Sequence, residues 1–288
     1  MVKDGRRTAP RPGLFAIGLT AAMVGSLAGP VATPREPAVI SLPGIEVVAI
    51  PSFLSSADKM ATAECPDGKK VIDAGGSIVT GSGQVAIDDV IPDADLNFVN
   101  VTGLETGQYG KDWQVVAHAT CVDPLPGLEW IKAQTASNSS TPKRLTIACS
   151  PGKTVLGNGY AITGGDGQAY VYESVPNGRP GVAATQVNLT GVEGDSYSGA
   201  WDLAGFLICA DPLPGQQVLS ASTGASTIAV PCPGQVATGS AAKLHNAPGT
   251  VLLEHDYATD TTAVALGHAS DQATQDWSVK AYAFCADA

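Results

Sequence analysis

The chain has 288 residues, of which 44% are apolar, 6% aromatic and 15% charged, with 33 Gly, 20 Pro and six Cys. That composition excludes a disordered tail and a polytopic membrane protein. A formal charge of -11 excludes a nucleic-acid binder, which needs a basic footprint.

Residues 1–32 have the layout of a secretory signal peptide: Lys3, Arg6, Arg7 and Arg11 precede an uncharged run from Gly13 to Ala32. Gly18, Gly25, Gly29 and Pro30 interrupt the run and leave it short for a bilayer span. Cleavage after Ala28 or Ala32 is expected, giving a secreted, extracellular product with no membrane span and a charge of -14, because four basic residues and one acidic residue leave. Residues 33–41 read as a linker.

Three copies of one unit follow, at 42–124, 125–212 and 213–288. Each opens on Leu-Pro-Gly, at Leu42, Leu125 and Leu213, and then reaches a Cys/Pro/Gly turn at Cys65, Cys149 and Cys232. A Trp stands eight residues before the second cysteine in every copy (Trp113 and Cys121, Trp201 and Cys209, Trp277 and Cys285), and an Asp follows at 123, 211 and 287. Asn100-Val101-Thr102-Gly103 matches Asn188-Leu189-Thr190-Gly191, a stretch the third copy does not keep. An even cysteine count beyond a signal peptide predicts disulfides, and only the symmetric pairing Cys65 with Cys121, Cys149 with Cys209 and Cys232 with Cys285 explains two cysteines per unit.

Within a unit, Trp113, Val115, Ala117, Ala119 and Cys121 alternate with Gln114, Val116, His118 and Thr120, the period of a strand. Further strands are predicted over Lys70–Val79, Val85–Ile91 and Asn97–Leu104, separated by Gly, Pro, Asp and Asn. Four or five strands per unit, or about twelve to fifteen in all, make an all-β protein of three antiparallel sheets, β-prism-like, with three β-sandwich-like units as the alternative. The three repeats and the Cys/Pro/Gly turn resemble the vitelline membrane outer layer protein I family, and this resemblance implies a three-fold prism of Greek-key sheets around one core. The units also look like those of secreted proteins of high-GC bacteria with a Cys-Pro-x-Gly turn and a later Trp before a Cys.

Most catalytic templates fail. Gly152-Lys153-Thr154 imitates the end of a phosphate loop without its first glycine. Gly194-Asp195-Ser196 lacks a nucleophile elbow. Asp93-Ala94-Asp95 starts like a calcium loop, but Phe98 replaces the required Gly. The four histidines have no ligand spacing, so no metal or other cofactor is expected except calcium at clustered carboxylates. Asn100, Asn138 and Asn188 occupy sequons that a bacterial protein would leave unglycosylated.

Two constellations recur at equivalent places. Asp88-Asp89, Tyr172-Glu173 and Glu254-His255-Asp256 lie on one strand of each unit; strand alternation lets one residue of each pair face a site, so Asp89, Glu173 and His255 would converge around an axis. Asp89, Glu173 and Glu254 are the candidate acid and base of a glycoside hydrolase. His118, Phe206 and Tyr282, each five residues after its Trp, are expected as exposed rings that stack on sugar, with Trp130 as a further exposed anchor. The leading expectation is a non-enzymatic module that binds glycan or cell-wall material; a hydrolase, and a structural or inhibitory surface protein without a small ligand, are the alternatives.

Overall fold

A computed structural model describes residues 42–194, 197–224, 227–246, 251–269 and 276–288. The signal peptide, the linker, Asp195 and Ser196 lie outside the described residues. The described residues belong to one compact unit and form eighteen strands. The first repeat supplies β1 (Glu46–Pro51), β2 (Lys59–Glu64), β3 (Lys70–Val79), β4 (Val85–Pro92), β5 (Phe98–Glu105) and β6 (Gln114–Val122). The second supplies β7 (Glu129–Gln134), β8 (Lys143–Ala148), β9 (Thr154–Thr163), β10 (Ala169–Pro176), β11 (Gln186–Glu193) and β12 (Asp202–Ala210). The third supplies β13 (Gln217–Thr223), β14 (Thr227–Pro231), β15 (Val236–His245), β16 (Val251–Ala258), β17 (Thr262–Ala269) and β18 (Ser278–Ala286).

Six strands per unit exceed the predicted four or five, because the first two of each unit are short edge strands, charged in units one and two and uncharged in unit three. Lys59, Glu64, Lys143 and Arg144 blur their apolar pattern, and charge of this kind discourages edge-to-edge pairing.

The strands form three six-stranded antiparallel sheets, and no sheet belongs to one repeat. Their orders are β2-β5-β4-β9-β12-β7, β13-β18-β15-β10-β11-β8 and β1-β6-β3-β16-β17-β14. Each sheet joins three strands of one unit to three of another, so they are named here the 1/2, 2/3 and 3/1 sheets. The joins are short: Asp89 pairs with Ala161, Glu173 with Lys243, and His255 with Ser77.

Disulfides tie this arrangement together. Cys65 follows β2 in the 1/2 sheet and bonds Cys121 on β6 in the 3/1 sheet; Cys149–Cys209 links the 2/3 and 1/2 sheets, and Cys232–Cys285 links the 3/1 and 2/3 sheets. The three bonds therefore connect all three sheets in a ring. Each closes a loop with a sequence separation of 53 to 60, and such a link typically stabilises by about 2–4 kcal/mol.

The landmarks read from sequence acquire physical roles. Gly103, Gly191 and Gly267 lie beneath Trp113, Trp201 and Trp277, where a Cβ would come within 2.7, 3.0 and 2.8 Å of the ring. The third copy thus keeps the glycine of the Asn-x-Thr-Gly stretch although the rest has changed. The Asp after each second cysteine returns to its own opening turn: Asp123, Asp211 and Asp287 donate their backbone N–H to Pro43, Pro126 and Pro214 at 3.1, 3.2 and 3.0 Å. Their carboxylates occupy the space a side chain at Gly44, Gly127 or Gly215 would need, and these glycines have φ of 65°, 66° and 62°.

Equivalent residues of the three units also pack against one another. Leu42, Leu125 and Leu213 cluster with Ile72 and Leu156, and Ala86, Tyr170 and Leu252 form a second cluster. Asp73, only 1% exposed, accepts from the N–H of Asn158 in unit two at 3.2 Å and of Ser240 in unit three at 3.1 Å. Burial pushes its carboxyl well above the ordinary range, with the nearby Asp256 charge adding to the rise.

Candidate functional site

Asp89, Glu173 and His255 do stand at equivalent positions, but on the 1/2, 2/3 and 3/1 sheets respectively. Their neighbours Val90, Ser174 and Asp256 are buried inward, so alternation turns the three predicted residues to the opposite, outer faces. They do not converge on an axis. Each instead shares an outer face with a ring from the neighbouring unit, which merges the two predicted constellations into one location per sheet.

A shift of register shapes that location. Between Ile87 and Asp89, Val171 and Glu173, and Leu253 and His255, each strand carries one extra residue: Asp88, Tyr172 and Glu254. Such a bulge re-aims side chains, and in the 2/3 sheet Tyr172 and Glu173 both line one cleft. The expectation that only one residue of each pair could face a site fails there.

That cleft, of about 490 Å³, is bounded by Pro142, Arg144, Tyr172, Glu173, Thr190, Glu193 and Lys243. Glu173 is its hub. It pairs with Lys243 at 2.6 Å and accepts from the Thr190 hydroxyl at 2.8 Å. Burial pushes its carboxyl upward, but the hydrogen bonds from Lys243 and Thr190, with the charges of Lys243 and Arg144, outweigh it and hold the group below its ordinary range. Glu173 is therefore an ionised acceptor. Tyr282 lies close enough for the Glu173 charge, after burial, to raise its phenol, and Lys280 sits 4.7 Å over its ring.

The 1/2 sheet is apolar at the same place. Asp89 accepts from the Ile162 N–H at 3.3 Å and from Thr102, yet burial leaves its carboxyl raised. Phe206 is only 4% exposed, because Trp130 packs on it at 5.6 Å and Lys132 covers it at 5.6 Å. Trp130 is itself partly buried and donates to the Pro92 carbonyl at 3.1 Å. Tyr282 is 8% exposed. The expected exposed rings and exposed anchor are thus corrected: partners on the same sheet face cover them.

On the 3/1 sheet His118 stacks on Tyr257, with centroids 4.1 Å apart and planes 7° apart, and its Nε2 lies 3.0 Å from the Ser77 hydroxyl. Burial, and then the His255 charge, push the His118 imidazole down to about 4, which keeps it neutral. His255 has its Nε2 3.1 Å from the Ile78 carbonyl oxygen. Glu254 is committed to holding units three and one together: it accepts from the Gly83 N–H at 2.7 Å and pairs with His268 at 3.1 Å.

The remaining motifs are turns. Asp93 accepts from the N–H groups of Asp95 at 3.2 Å, Asn97 and Phe98 at 2.9 Å, an Asx arrangement. Lys153 holds the Gly127 carbonyl at 2.6 Å and Glu129 at 2.8 Å. Among the described residues no three His, Cys, Asp or Glu are placed to hold a metal ion.

Sequence reasoning missed Arg144, Thr190 and Lys243. Lys243 carried a signal, being the one Lys or Arg in the strand β15, where it stands between Ala242 and Leu244; Arg144 carried none. No protein-family model and no curated protein matches the chain.

Proposed function

We propose that the protein is a secreted, disulfide-stapled, non-enzymatic module that binds glycan or cell-envelope material in the cleft of the 2/3 sheet. The observation that carries this reading is the cleft itself, where a tyrosine ring at Tyr172 stands beside a fixed acceptor, Glu173, and the donors Lys243 and Arg144. A ring with converging polar groups suits a sugar, whose one face is apolar and whose edge is hydroxylated. Three disulfides fit an oxidising compartment. Glu173 and Glu193 both line the cleft, which is the one feature that favours a hydrolase.

A glycan array and a cell-wall pull-down with the oxidised protein, with and without calcium, test the reading. Binding is expected, with loss on Tyr172→Ala in a protein whose near-ultraviolet circular dichroism is unchanged. Absence of binding in both assays sinks it. Turnover of a bound glycan that disappears with Glu173→Gln assigns the hydrolase instead.

A further inference from the structure

Strand register aligns one straight row of outer residues across each sheet. In the 2/3 sheet the row runs Lys280, Lys243, Glu173, Thr190, Arg144, each directly opposite the next. The same row reads Ala204, Ala161, Asp89, Thr102, Met60 in the 1/2 sheet. In the 3/1 sheet it reads Val116, Ser77, His255, Leu266, Thr227. Only the first contains Lys or Arg, and it holds three of the eleven such residues in the described chain. The scaffold does not need them, since two equivalent rows fold without any.

Neutralising Glu173 takes one cation, Lys243. Arg144 is exposed, and neither it nor Lys280, whose ammonium lies over the Tyr282 ring, makes an ion pair with a described residue within 4.0 Å. Arg144 thus lines the cleft without an ion-pair partner, and Lys280 lies next along the row, opposite the cleft residue Lys243. Neighbouring strands are about 4.8 Å apart, so four steps separate Lys280 from Arg144 by roughly 19 Å, a span suited to an extended chain. A protein with a net charge of -11 repels anions at long range, so cations concentrated on one row serve an anion that must be held locally.

We propose that the ligand of this cleft is an acidic polysaccharide, whose carboxylates lie against Arg144, Lys243 and Lys280 while Tyr172 and Thr190 meet the sugar. This rests on the glycan reading above and specifies its charge. Arg144 supplies paired donors to a carboxylate, and Lys280 and Lys243 supply point charges. Glu173 opposes the ligand's charge and sets Lys243 in place.

The test is titration calorimetry of the oxidised protein with a panel of uronate polymers (polygalacturonate, alginate, hyaluronan), with their carboxyl-reduced neutral forms, and with a single-stranded oligonucleotide. At least one uronate polymer is expected to bind roughly tenfold tighter than its reduced form, and to weaken as salt rises. Arg144→Glu and Lys280→Glu should each weaken it roughly fivefold or more with an unchanged melting temperature, while Glu173→Gln should tighten it. If reduced and acidic forms bind equally, the charge inference falls and the glycan reading stands. If no uronate binds while the array or pull-down is positive, the inference falls alone; if those are negative too, both fall. Equal binding of the oligonucleotide overturns an acidic saccharide as the ligand in favour of polyphosphate recognition.

Discussion

The first two units and the third use one plan with different interiors. In the first, Trp113 lies between Lys59, 3.1 Å over its ring, and Glu105, which accepts from its indole N–H at 3.1 Å. Unit two repeats this with Lys143 at 4.8 Å and Glu193 at 2.7 Å. In the third unit Ala269 replaces the glutamate, and Trp277 is only partly buried whereas Trp113 and Trp201 are 0% exposed. The outer pairs Thr62–Asn100 and Thr146–Asn188, both at 2.7 Å, become Ala229 opposite Val264. What survives in all three is the disulfide, the glycine under the ring and the Asp on the opening turn. Backbone proximity and covalent closure define the unit, and the polar stack is an addition that two units carry.

The sharpest break of this comparison is at the tryptophans. Trp201→Ala is expected to cost about 3–5 kcal/mol, the range for a fully buried ring. Trp277→Ala should cost about 1–2 kcal/mol, in proportion to its smaller burial. Urea unfolding of the two variants decides; equal costs would mean that the stack contributes nothing beyond what unit three retains.

Next in size is Asp256, a carboxyl at the inward position that Val90 and Ser174 fill in the other units. Burial raises it to about 7, and its Oδ1 is buried without a hydrogen-bond partner. The folded protein then holds a proton that the unfolded chain has released, so this contribution is complete below pH about 4 and is lost as pH rises to about 7. Asp256→Asn should flatten that slope without abolishing it, since burial raises the Asp73 and Asp88 carboxyls in the same direction, and should raise stability at pH 8 by about 2–4 kcal/mol. Thermal unfolding from pH 4 to 8 measures it, and an unchanged slope in the variant would assign the pH dependence to other groups.

The smallest effect is a transplant: Thr146→Ala with Asn188→Val installs unit three's pair in unit two. The expected change is under about 1 kcal/mol, as for a cross-strand surface pair. A larger loss in chemical denaturation would show that the polar pair is structural where it occurs.

Parts of the site were legible in the sequence and parts were not. Glu173 emerged because its copies recur at fixed distances from the Cys/Pro/Gly turn. Strict alternation excludes Tyr172 from the site, but a bulge defeats alternation, and no local pattern marks a bulge here. Alternation places Phe206 and Tyr282 outward, yet both are covered, since alternation assigns a face but not what lies over it. Arg144 lies on an edge strand too polar to be read as a strand at all.

The sequence by itself determined an all-β protein of three units and which cysteines pair, because a two-residue period and repeated spacings are properties of the chain segment that carries them. Only the tertiary structure decided that each sheet is shared by two units, that the disulfides link all the sheets in a ring, and that cations from β8, β15 and β18 fall in one row. Register between strands of different units depends on how whole faces pack, and no periodicity within either strand contains that information.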